Sequence, residues 1–154
     1  MTSVGARCSF LKASPELRTV LDGLGKHEHF ATGQFLFRED QNATGVFLLL
    51  KGRVRMSVYN LPKLDRLFAT GALMGLPSTF TGRPYSLTAQ ALSEADALHV
   101  PTEAFLDVMR ERPELCREAT EMLGREVTFI QKALAERRKR ASGKKLVNEE
   151  VAIG

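Results

Sequence analysis

Between about residues 28 and 100, the apolar side chains of this chain fall into short runs broken by glycine- and proline-bearing turns, and that pattern excludes most architectures. Val46-Phe47-Leu48-Leu49-Leu50 reads as a buried strand and Lys51-Gly52 as a turn. Val54, Met56 and Val58 then alternate with Arg53, Arg55 and Ser57, the period of a half-exposed strand. Phe30, Phe35 and Phe37 flank a turn at Thr32-Gly33. Leu61-Pro62 breaks the chain before a short strand at Leu67-Phe68. Between 70 and 84, Gly71, Gly75, Gly82, Pro77 and Pro84 predict an irregular, shaped loop. Tyr85 to Leu92 and Ala95 to Val100 read as two more strands. Short strands at this density of turns predict an all-β sandwich or barrel.

Helices bracket the strands. Ser14-Pro15-Glu16 combines an N-cap residue, a proline suited to the first helical position and an acid suited to the positive helix end. Leu17, Val20, Leu21 and Leu24 follow at helical spacing, with Gly25 as the stop. Pro101-Thr102-Glu103 opens a second helix to about Glu111. Pro113-Glu114 opens a third that is expected to reach about Arg140, before Ser142-Gly143. On it Cys116, Ala119, Leu123, Val127, Ile130 and Leu134 approximate an a/d seam over nearly three heptads. At 1.5 Å per residue this helix is roughly 40 Å long and outruns a small barrel, so the seam is read as a parallel dimer contact; packing on its own barrel is the alternative. The expected division is a domain over 1–140 and a polar tail over 141–154.

Charge is uneven. Lys132, Arg137, Arg138, Lys139, Arg140, Lys144 and Lys145 face one acid, Glu136, between 131 and 145, whereas residues 1–130 carry 15 cations and 15 anions. The body is therefore no basic nucleic-acid binder. The segment 137–145 is read first as a solvated helix end, with weak phosphate contact or an acidic protein partner as alternatives. The longest strongly apolar run is five residues, against the roughly 20 of a membrane span, so no membrane association is expected. The N-terminus lacks the apolar core of a signal peptide, so a cytoplasmic location is expected.

Reactive constellations are sparse. Cys8 and Cys116 are too few for a zinc or iron–sulfur site, and a structural disulfide is not expected. Cys8 is read as an unactivated thiol and Cys116 as a packing residue. His27 and His29 flank Glu28 on one strand face, a pair able to ligate a metal or haem iron, but a third ligand is missing and both are read as surface histidines. His99 is read as structural. There is no nucleophile with a base and orienter, no phosphate-cradling glycine loop and no paired carboxylates, so neither enzymatic activity nor a cofactor is expected.

The order of elements resembles the cyclic nucleotide-binding domain of Crp/Fnr-type regulators. Phe30-Ala31-Thr32-Gly33-Gln34-Phe35-Leu36-Phe37 resembles the opening strand–glycine–strand. Val46 to Val54 resembles the apolar strand, glycine turn and next strand, Gly71 to Ala91 the phosphate-binding cassette, and Phe105 to Pro113 the link into the dimerisation helix. The resemblance covers about residues 10–140. It implies a mainly β fold with flanking helices: a double-stranded β-helix or jelly-roll (β-roll) followed by a long C-terminal dimerisation helix, with Ala119, Leu123, Val127, Ile130 and Leu134 at the interface of a homodimer.

The cassette departs from the family. There, a Gly-Glu pair holds the ribose, and an arginine followed by serine or threonine holds the cyclic phosphate through a planar fork and a hydroxyl. Here Gly75 precedes Leu76, and Tyr85 stands at the arginine position before Ser86. No Asp or Glu occurs between Asp65 and Glu94, and Arg83 is separated from the strand by Pro84. The expected pocket is apolar through Leu76, Pro77, Phe80 and Tyr85, with Ser78, Ser86 and Thr88 as polar anchors. The resemblance places Ile130 and Gln131 over it from the long helix. The resulting expectation is an effector-sensing domain for a small molecule other than a conventionally held cAMP or cGMP. A ligand-free dimeric interaction protein is the alternative, and weak nucleic-acid binding through the basic helix end a second one. The family reads DNA with a separate helix-turn-helix. The chain ends at Gly154, 14 residues after Arg140, so sequence-specific DNA binding is not expected of these residues.

Overall fold

A computed structural model describes the backbone of residues 12–153 and the side chains of residues 12–135. Eight strands form two antiparallel four-stranded sheets. One has the order β1 (Lys26–Phe30), β8 (Ala95–Pro101), β3 (Gly45–Lys51), β6 (Leu73–Met74). The other runs β2 (Phe35–Phe37), β7 (Thr88–Ala91), β4 (Val54–Ser57), β5 (Arg66–Phe68). Consecutive strands thus cross between the sheets, as in a jelly roll, except β4 and β5, which pair as neighbours in the second sheet. The sheets share one apolar core, in which Phe37 of β2 meets Phe47 of β3 at a ring separation of 5.6 Å. The apolar run of β3 lies between β8 and β6 and is buried from Gly45 through Leu49. On β4 only Val54 and Met56 are buried, as the alternation requires.

α1 (Pro15–Asp22) starts at Ser14, whose Oγ accepts from the Leu17 N–H at 3.2 Å; Leu17 and Leu21 enter the core. The Glu118 carboxylate accepts from both the backbone N–H and the hydroxyl of Ser14, at 2.7 and 2.6 Å, and so ties α1 to the last helix. α3 (Thr102–Glu111) buries Phe105, Val108 and Met109.

Three boundaries differ from expectation. The segment 70–84 contains β6 and a short helix, α2 (Leu76–Thr81), rather than irregular loop alone. The strand expected from Tyr85 begins only at Thr88. Tyr85 pairs instead with the loop before β3, its N–H donating to the Gln41 carbonyl at 2.9 Å and its carbonyl accepting from the Asp40 N–H at 2.7 Å. The last helix, α4 (Pro113–Ile153), continues through Ser142-Gly143. The basic side chains 137–145 and Cys8 lie outside the described residues. Among the described residues, no helix is long and apolar enough to cross a membrane.

Candidate functional site

The site is built where the 75–87 segment folds against the inner face of β2, β4 and α4. Gly75 opens α2 with φ of 91°, and a Cβ there would stand 3.1 Å from the Gly45 carbonyl and 3.2 Å from the Tyr85 ring. A side chain at 75 would therefore meet both backbone strain and a filled space. Ser78 donates its hydroxyl to the Pro84 carbonyl at 3.0 Å and fixes the return of the chain after α2.

Tyr85 occupies the interior. It is 2% exposed, and its ring stacks on Phe37 at 4.1 Å with an interplanar angle of 22°. Its hydroxyl donates to the Gly45 carbonyl at 2.7 Å and accepts from the N–H groups of Thr44 and Gly45 at 3.1 and 3.2 Å. The tyrosine thereby satisfies backbone groups at the start of β3. The space left beside it is about 10 Å³, at or below the room one water needs. Phe37, Met56, Ser78, Tyr85, Leu87 and Glu126 enclose it, together with Gly75, Pro77 and Ser86.

Gly75, Ser78, Tyr85 and Ser86 are thus brought together as the chain's pattern implied. Others are not. Leu76 is buried in the core beside the site without lining it. Thr88 faces a separate open groove with Arg55 and Asp65, its Oγ1 accepting from the Glu39 N–H at 3.0 Å. Ile130 is half-buried and Gln131 exposed, and neither reaches the cavity; the α4 residue that does is Glu126. The helix is rotated relative to the expected register. Its inward stripe is Leu115, Ala119, Met122, Glu126 and Ala133, all buried. Ala119 therefore belongs to this chain's own core and not to an outward seam. Leu123, Ile130 and Leu134 are half-buried and Val127 is 44% exposed, on the outer side.

Two functional candidates escaped sequence reasoning, Arg66 and Glu126. Arg66 of β5 stands directly opposite Met56 of β4, on the inward face shared with Phe68. It is 0% exposed, and its Nε, Nη1 and Nη2 have no hydrogen-bond partner among the described residues. The guanidinium lies 4.7 Å from the centre of the Phe129 ring and 5.4 Å from that of Phe68, so α4 and β5 cover it with aromatic faces. Glu126, one turn before Phe129, is 2% exposed, and its Oε2 also lacks a hydrogen-bond partner among the described residues. Burial pushes its carboxyl above the usual carboxylate range; the Arg66 charge pulls it down by less. The available signals were local: an arginine on the inward phase of a strand, and a glutamate on the apolar stripe of a helix. Neither betrays that the charges of residues 66 and 126 come close enough to influence each other.

The histidines lie elsewhere. His29 bridges Asp96 and Glu94 at 2.8 and 2.7 Å on an exposed sheet face, and hydrogen bonds to these two acids raise its pKa. His27 approaches Asp22 at 3.3 Å. His99 packs on Phe47 and meets the Thr44 hydroxyl at 3.0 Å. Among the described residues, no group of three or more His, Cys, Asp or Glu is arranged to hold a metal ion.

Residues 27–112 match the family described as the cyclic nucleotide-binding domain. The nitrogen fixation regulation protein FixK of Bradyrhizobium diazoefficiens is 31% identical over 125 residues, covering 80% of this chain and 51% of FixK. The chain thus spans about half the length of that relative. Among solved structures, the Thermus thermophilus catabolite activator protein superposes with a TM-score of 0.67 at 21% identity, over 79% of this chain and 59% of that one. Oxidised CprK in complex with o-chlorophenolacetic acid also gives 0.67, at 15% identity over 88% and 56%. These two likenesses concern the fold.

Proposed function

The chain belongs to the cyclic nucleotide-binding domain family, and from that premise we propose that it is a non-enzymatic, effector-sensing regulatory domain whose degenerate cassette does not hold cAMP or cGMP in the usual way. The observation that carries this reading is Tyr85. Its ring and hydroxyl fill the interior beneath α4, and the cassette offers neither a ribose-binding carboxylate nor an arginine followed by serine; Arg83 is exposed. A cyclic nucleotide entering here displaces a stacked, fully hydrogen-bonded tyrosine and gains no charged partner from the cassette. A change of ligand class has a parallel among proteins of this fold in CprK, solved with o-chlorophenolacetic acid.

The effector is a small molecule, and its signal leaves through α4. That helix pairs with a second copy through the outer stripe Leu123, Val127, Ile130 and Leu134, supported by the exposure of Val127. The location is cytoplasmic, and the FixK likeness supports a role in transcriptional regulation. Calorimetric titration of the purified chain with cAMP and cGMP tests the cassette reading. Dissociation constants in the millimolar range or no heat are expected; binding tighter than about 10 µM overturns it.

A second reading, a ligand-free dimeric interaction protein, is favoured by the small cavity of about 10 Å³. Thermal melting against nucleotides, haem and small aromatic acids separates the two. A compound that raises the melting temperature supports sensing, and silence across the panel supports the interaction protein.

A further inference from the structure

The buried pair at the junction of β5 and α4 deepens this reading and rests on it. We infer that Arg66 is the anchor for the carboxylate of a small, apolar-bodied organic acid, and that Glu126 is the internal group such an acid displaces.

The argument begins with the guanidinium. An arginine stays ionised in a protein, and a buried ionised group without hydrogen bonds is strongly unfavourable. Arg66 has five N–H donors, none of its three nitrogens has a hydrogen-bond partner among the described residues, and it is 0% exposed. Aromatic faces at 4.7 and 5.4 Å stabilise the charge but accept no directed bond in place of an oxygen. A residue with no structural bond to make is suited to bind something else.

The class of ligand follows from the surroundings. The planar fork of arginine matches two oxygens of a carboxylate. The group that the fold itself brings near Arg66 is a carboxyl, that of Glu126, which is driven toward its neutral form and has one oxygen unpaired. One cation favours a monoanion over a doubly charged phosphate. Glu126, and not Arg66, lines the small cavity beside Tyr85, and the other side chains there, Phe37, Met56, Leu87 and the Tyr85 ring, present apolar surface that calls for an apolar body.

Regulation follows from the space. The cavity is closed to about 10 Å³, so an acid larger than a water takes its room by moving α4, and Glu126 is the helix residue in its way. Val127, next to Glu126, lies on the outer stripe. Displacing Glu126 therefore moves the face proposed to meet the second copy.

Benzoate is the first probe, with benzamide as its neutral isostere, against the full-length chain and the variants Arg66→Met, Arg66→Lys and Glu126→Gln. Saturating benzoate is expected to raise the melting temperature by several degrees, and benzamide not to. Arg66→Met, which removes an unpaired buried charge and keeps an apolar filler, is expected to fold and to weaken benzoate on the order of a hundredfold, the loss of two charge-assisted bonds. Arg66→Lys keeps charge but loses the fork and falls between. Glu126→Gln, lacking the carboxyl that competes for Arg66, binds benzoate several-fold more tightly, and benzoate shifts the amide resonances of α4 around residue 126. Equal stabilisation by benzoate and benzamide, benzoate binding unchanged in Arg66→Met, or no benzoate effect in either wild type or Glu126→Gln each overturns the assignment. A shift by a nucleotide or benzamide that survives Arg66→Met leaves the sensing reading standing while removing Arg66 from it. Silence to every compound removes both.

Discussion

Tyr85 and Arg66 are both polar side chains buried in one β-roll, and they are treated in opposite ways. The Tyr85 hydroxyl donates once and accepts twice from the backbone at the start of β3, and its ring stacks on Phe37. Arg66 makes no hydrogen bond among the described residues and lies against the aromatic faces of Phe68 and Phe129. The first arrangement is what stability selects, a polar group that closes a core. The second works against stability, because a buried charge without directed bonds is costly. The difference teaches that Tyr85 fills the interior at the 75–87 segment, while the polar groups left without hydrogen bonds among the described residues lie toward α4.

Substitutions at the two positions should move stability in opposite directions. Tyr85→Ala removes the stacked ring and leaves a cavity, and unfolding in urea should show a loss of about 3–5 kcal/mol. Arg66→Met should go the other way, gaining about 1–4 kcal/mol, as when buried charged groups are replaced by apolar ones of similar volume. If Arg66→Met is instead destabilised by several kcal/mol, the guanidinium holds the fold together and the contrast collapses. Tyr85→Phe sharpens it further. Only the hydroxyl goes, the N–H groups of Thr44 and Gly45 lose their acceptor, and the loss should be about 1–3 kcal/mol.

The sequence was legible where periodicity and local chemistry coincide. The switch from the buried Val46–Leu50 run to the Val54/Met56 alternation marked β3 and β4, and Ser14-Pro15 and Pro113-Glu114 marked helix starts. A two-residue strand such as Leu73–Met74 carries no readable period, and α2 is held by Gly75 and tertiary packing despite Pro77 and two threonines. That segment therefore read as loop. At the site, the sequence shows Leu76 and Tyr85 at the positions where the resemblance leads one to expect the charged pair. That Tyr85 fills the pocket rather than lining an open one was not, because its anchors, Thr44 and Gly45, lie about forty residues away. Ala119 was placed on the outer stripe of α4 for a different reason. Two stripes, one through Ala119–Met122–Glu126 and one through Leu123–Val127–Ile130, both satisfy near-heptad spacing. The apolar pattern alone favoured the one without the glutamate, yet the glutamate faces inward.

The smallest predicted effect concerns that glutamate and fixes the charge state beside Arg66. Burial raises the Glu126 carboxyl above its ordinary value of 4.5, with Arg66 opposing by less. The folded protein therefore binds this proton more tightly than the unfolded chain does. The stability gained from it is fully present below about pH 4.5 and is lost as pH rises through the higher folded-state value. In Glu126→Gln that dependence is absent. The two proteins should show similar pH trends below pH 4.5, and the variant should then gain on wild type by no more than about 1.4 kcal/mol per pH unit, the slope for one proton, until the buried carboxyl has ionised. Urea midpoints measured from pH 4 to 8 read this directly. If wild type gains on the variant instead as pH rises, the Arg66 charge outweighs burial. Glu126 is then an ionised partner of the arginine, and the cation at the α4 end is as well satisfied as the hydroxyl at the cassette.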